Sequence, residues 1–218
     1  MKVGASAMSL RRTRLLALCG IAAPPFFALM VIVESLLRPG YSQVSNVISD
    51  LGVGEHAILQ DINFWAFGIL VFLLALGLSS ALPRSRAVFA TMSVFAWSVF
   101  VAGFFPDSPY PYPGNVHNAA AIIAFLSIIT SQFLMWRRLH SSTGEERTVW
   151  GRYGTYSLLS GISSSIFFLA FGNAPASPIA GLTQRLLIVV IWSWIEVVAV
   201  RLYQSTKSKS VSIVKLTA

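Results

Sequence analysis

Residues 15–37 read LLALCGIAAPPFFALMVIVESLL, with one charged side chain, Glu34, close to the far end. At about 1.5 Å per residue, a helix of this length crosses the roughly 30 Å hydrocarbon core of a bilayer. A helix apolar on every side belongs in a large core or in lipid, and the remainder of the chain decides which. Five further runs of the same kind follow, at 62–82, 87–105, 117–136, 154–172 and 183–203. They leave no room for a separate soluble domain. The composition agrees: 55% of residues are hydrophobic and 11% charged, where a soluble domain carries about 25% charged residues. Mean hydropathy is +0.69.

The expected fold is all-α: a polytopic, six-transmembrane-helix bundle with a short interfacial amphipathic helix between the first two spans. Residues 1–14 form a cytoplasmic N-terminal segment, 15–203 the membrane domain, and 204–218 a polar, disordered cytoplasmic tail. The first run exceeds the 7–15 apolar residues of a signal peptide, and no small-x-small cleavage pattern follows, so it reads as a retained span. Fourteen of the 16 Lys and Arg flank the spans on one side, leaving only Arg38 and Arg185 on the other. By the positive-inside rule both termini are cytoplasmic and the protein is a multi-pass component of the cell membrane. The net charge of +8 is thereby a topology signal matched to anionic headgroups, and no nucleic acid partner is expected. Cys19 is the sole cysteine, which rules out an intrachain disulfide and cysteine metal motifs.

Several local features carry expectations of their own. Pro24-Pro25 predicts a kink or local unwinding in the first span. Glu34 and Arg38 are spaced i,i+4 and read as an ion pair. In YSQVSNVISDLGVG, residues 41–54, Val44, Val47, Ile48 and Leu51 form one helical stripe, which predicts the interfacial amphipathic helix. Four prolines at 106, 109, 111 and 113 predict a stiff extended loop. Residues 137–153 read as a solvated, mobile loop. Ser157, Gly161 and Ser165 recur at four-residue spacing, which suits close helix packing rather than serine chemistry.

This topology gathers polar side chains from three loops on the outer face: Ser45, Ser49, Asp50, His56, Asp61, Asp107, His117 and Arg185. Polar groups at a lipid boundary are costly unless paired, so they are expected to converge. Three chemistries suit them. Asp107, His117 and His56 have the donors for a divalent metal such as zinc, whose bound water becomes a nucleophile. Alternatively Asp50 or Asp107 with a histidine forms a general-base pair that activates Ser49 or water, making Ser49, Asp50, Asp107 and His117 catalytic. Ser45, Tyr110 and Arg185 would then bind substrate, Arg185 holding an anionic headgroup. The third reading is a non-enzymatic clasp that docks the interfacial helix onto the helix tops. A transporter would need a polar track, for which only Glu34, Arg185 and Glu196 are at hand.

The segment SNVISDLG (residues 45–52), FPD (105–107) and His117 at the head of the fourth span resemble domain-of-unknown-function family 998, a group of six-span prokaryotic membrane proteins. The resemblance covers the chain from the first span to the last. It implies the six-span fold and singles out Ser49, Asp50, Gly52, Pro106, Asp107 and His117; it implies no activity. The family is also distantly similar to eukaryotic multi-pass proteins of lipid and glycolipid handling. The expected function is binding or processing of a lipid or lipid-linked substrate from the bilayer, centred on Asp50, Asp107 and His117.

Overall fold

The computed structural model describes residues 7–106, 115–173 and 177–217, and among these every regular element is helical. Six α-helices, α1 (Ala7–Leu37), α2 (Ala57–Ala81), α3 (Arg86–Ala102), α4 (Asn115–His140), α5 (Gly144–Gly172) and α6 (Ala180–Thr217), are joined by short links. A 3-10 turn, η1 (Ile48–Gly52), lies between α1 and α2. Five of the helices are long and apolar enough to cross a membrane. The sixth, α3, has 17 residues, about 25 Å of helix, slightly less than a hydrocarbon core.

Each helix packs on its successor and α6 returns to α1, so the six close into a ring. Small residues set the closest approaches. A Cβ on Gly20 would lie 2.6 Å from Leu74 and 2.8 Å from Ala199, so α1 meets both α2 and α6 there. At Gly68 it would lie 2.7 Å from the Ala96 carbonyl, bringing α2 onto α3. Phe67, Leu74, Met92, Ile128, Leu187 and Trp194 fill the interior. The outside is as apolar as the inside: Leu29 is 59% exposed, Ile166 59% and Leu169 64%. A soluble surface does not carry apolar side chains in this density; a lipid-facing one does. The molecule is a helical membrane bundle.

Several local expectations are corrected. Of the two outcomes expected at Pro24 and Pro25, local unwinding does not occur: α1 is continuous through both prolines. Neighbouring helices crowd it at Gly20, one of the residues whose carbonyls those prolines leave unpaired. The expected amphipathic helix over 41–54 is instead a series of turns ending in η1. Val44 faces out, whereas Ile48 and Leu51 are buried in the core, so the apolar stripe is split between two environments. The loop expected over 137–153 shrinks to residues 141–143, because α4 and α5 extend beyond the apolar runs. Arg138 and Glu146 join the two extensions by an ion pair of 2.5 Å. Likewise α6 continues to Thr217, past the start of the expected tail at 204.

The Glu34–Arg38 pair does not form. Arg38 turns to the Asp50 carbonyl of η1 instead. Glu34 is left 3% exposed, with neither carboxylate oxygen bonded. Close by on α2, Gln60 and Asn63 are fully buried and bonded to each other at 3.1 Å, and Asn63 also donates to the Phe27 carbonyl of α1 at 3.3 Å. A buried carboxylate without partners is a net cost. Glu34→Gln is therefore expected to raise stability by about 1 kcal/mol. Thermal unfolding of the detergent-solubilised protein checks this; an unchanged or lower midpoint contradicts it.

Candidate functional site

The site begins with how residues 41–52 are tied down. The amide of Ser42 donates to Asn46 Oδ1 at 3.0 Å, and Asn46 Nδ2 donates to Asp50 Oδ2 at 3.0 Å. These short polar links bend the backbone into successive turns, as Asn, Asp and Ser side chains commonly do. The head of α6 grips the result. The Ile48 amide donates to Gln184 Oε1 at 2.7 Å, and the Leu182 amide to the Val44 carbonyl at 2.9 Å. Arg185 donates to the Asn46 carbonyl at 2.7 Å, to its own helix at Gly181 at 3.0 Å, and to Tyr41 Oη at 2.6 Å. Its guanidinium also sits 5.7 Å from the Tyr41 ring centre. Tyr41 in turn donates to the Val47 carbonyl at 2.9 Å. Burial raises the Tyr41 phenol above its ordinary value, against the opposing pull of Arg185.

Beneath this segment lies a cavity of about 320 Å³. All six helices and residues 47–49 contribute to its wall. The wall is mostly aromatic and aliphatic, and among the described residues its polar groups are Ser49, His117, Asn118 and Gln184. His117 is 5% exposed and lies one turn into α4. Its Nδ1 is 2.8 Å from the Phe105 carbonyl and 3.2 Å from that of Ala102, the last residue of α3. A carbonyl only accepts, so these bonds require the proton on Nδ1. The imidazole thus caps the end of α3, where helical carbonyls lack intrahelical partners. Nε2 is left as the ring's acceptor, base or ligand atom.

The residues singled out by sequence are distributed unevenly. Ser49, which is buried, and His117 line the one cavity. Asp50 follows Ser49, but its carboxylate accepts from Asn46 and its carbonyl from Arg38. Ser45 is exposed, its amide donating to Ser42 Oγ. Arg185 is committed to the contacts described above. His56 is exposed at the N-cap of α2 with φ +67°. Asp61 lies between, half-buried, and interacts electrostatically with both Glu34 and His117. Asp107 and Tyr110 fall outside the described residues. Among the described residues no three His, Cys, Asp or Glu side chains group so as to hold a metal ion.

Sequence reasoning left out Asn46, Asn118 and Gln184. A signal exists for Gln184, an uncharged polar residue at the head of an apolar helix, beside the charged Arg185. The aromatic lining carried no signal, because phenylalanines in a membrane span face lipid as readily as a cavity.

Between residues 21 and 201 the chain matches the family described as Protein of unknown function (DUF998), and it belongs to that family. No curated protein and no solved structure matches it.

Proposed function

We propose that this DUF998 chain is a cell-membrane protein, with cytoplasmic termini and η1 turned outward, whose cavity binds a lipid or lipid-linked molecule. The observation that carries this reading is the cavity itself: an apolar, aromatic wall inside a lipid-facing bundle, with polar groups gathered at Ser49, His117, Asn118 and Gln184. Ligand pockets are commonly about 300–1,000 Å³, mostly apolar, with few orienting polar groups. One arm of a lipid fits that description. The basic residues at the opposite end of the ring support the orientation.

Processing of the bound lipid would draw on the same groups. Nε2 of His117 is the atom suited to take a proton from water or from Ser49. A second reading, the structural clasp, is favoured by one observation: Arg185 donates to Asn46, Gly181 and Tyr41. Both hold together if the clasp is the cavity's roof.

The test is a comparison of wild type and Ala121→Trp, which puts an indole into the cavity from α4. Lipid extracted from the purified protein is quantified by mass spectrometry. Wild type is expected to retain a lipid in near-stoichiometric amount and the variant about tenfold less, at equal helicity. Equal amounts in both would remove the cavity from consideration.

A further inference from the structure

We infer that the cavity takes one chain of a lipid whose head is uncharged and hydroxyl-bearing, an inference that rests on the lipid-binding reading above. The charge of the lining comes first. Among the described residues no Lys, Arg, Asp or Glu lines the cavity, and His117 is the sole titratable side chain there. The arginine nearest in sequence to a lining residue, Arg185, is occupied by two carbonyls and a phenol, and Arg38 by the Asp50 carbonyl. An anionic phosphate or carboxylate drawn into the cavity would lose water and meet no cation among the described lining residues. A buried charge without a partner is strongly disfavoured.

The hydrogen-bonding pattern then selects among uncharged heads. With its proton committed to the Phe105 and Ala102 carbonyls, His117 offers an acceptor at Nε2. Gln184 already accepts from the Ile48 amide through Oε1, so its amide nitrogen is what it has to give. A site that offers an acceptor and an amide donor matches a group that both donates and accepts. A hydroxyl does so through one atom. An ester or ketone, which accepts alone, would leave Nε2 unsatisfied.

Size sets the rest. At about 320 Å³ the space lies at the low end of small-molecule sites, enough for one aliphatic or isoprenoid chain and not for two. Phe27, Phe64, Phe67, Phe95, Phe125 and Trp192 supply flat apolar walls for that chain.

The experiment measures saturable binding of radiolabelled hexadecanol, hexadecanoic acid and hexadecyl phosphate to the full chain in phosphatidylcholine nanodiscs. The three share a chain and differ in the head. Hexadecanol is expected to bind at least about tenfold more tightly than either anion. That advantage is expected to shrink to less than about threefold in His117→Phe, which keeps a ring and removes Nε2. Because His117 also caps α3, Asn118→Ala serves as a second variant; it removes a lining amide and should weaken hexadecanol by a few-fold. Tighter or equal binding of the acid or the phosphate overturns the headgroup inference and leaves the lipid site standing. So does failure of all three while Ala121→Trp still loses co-purified lipid. Failure of all three, with co-purified lipid indifferent to Ala121→Trp, overturns the lipid-binding reading itself.

Discussion

Gly181→Val is expected to destabilise the solubilised protein by about 3 kcal/mol and to release residues 41–52 from α6. Gly181 is buried in the first turn of α6, and a Cβ there would run into the Asn46 carbonyl and lie 2.8 Å from Arg185 Nη1. Neither obstacle can retreat cheaply. The Asn46 carbonyl is held by Arg185, and the backbone two residues earlier is held by the Leu182–Val44 hydrogen bond. Backbone obstacles do not yield by changing rotamer, so the substitution separates the two segments instead. Thermal unfolding reads the loss, and chymotrypsin cleavage after Tyr41 reads the release, because that side chain is otherwise held by Arg185. Gly172→Ala is the matched control. It lies at the end of α5 with nothing within 4 Å of its would-be Cβ, and should be neutral or slightly stabilising. Equal effects at the two glycines would mean that the close approach at 181 carries no energy.

This contact also marks where the sequence stops being legible. The six apolar runs were readable because a helix that faces lipid must be apolar over a bilayer's length, whatever it packs against. Gly181, by contrast, looks like any helix-opening glycine. Its meaning depends on Asn46, far earlier in the chain, coming to rest against it. The same limit explains the misread segment 41–54. Its i, i+3, i+4, i+7 pattern is real, but helical hydrogen bonds compete there with Asn46, Ser42 and Gln184, whose side chains satisfy the same backbone groups. For Glu34 and Arg38, sequence spacing identified neighbours; it could not reveal that the Asp50 carbonyl would outbid a carboxylate. The candidate site was legible in part for a related reason. Topology alone put Ser49 and His117 at one end of the bundle, and they do line one cavity. Arg185 is expected from the sequence to hold a headgroup, whereas its guanidinium donates to the Asn46 carbonyl and the Tyr41 hydroxyl, partners that sequence spacing does not reveal.

Arg185→Ala is expected to cost about 3 kcal/mol or more, since it strips hydrogen bonds from a charged donor and leaves the Asn46 carbonyl and Tyr41 hydroxyl unpaired. Arg185→Lys should recover only a small share, because an ammonium cannot reproduce a planar fork directed at two separate oxygens. Tyr41→Phe tests the same assembly from the other side. It removes the acceptor for Arg185 and the donor to the Val47 carbonyl. The double variant should therefore be less destabilised than the two singles added, by about 1–2 kcal/mol of coupling. A pH profile gives an independent readout. The Tyr41 phenol is raised by burial, so its folded value exceeds the unfolded one of about 10. Its contribution is then fully present below pH about 10 and is lost as pH climbs through the folded value. Tyr41→Phe should flatten that alkaline decline. If Arg185 instead served a headgroup, its removal would abolish binding of an anionic lipid and leave the unfolding midpoint where it was. Loss of stability together with retained hexadecanol affinity per folded molecule would show a roof that shapes the cavity without touching what lies in it.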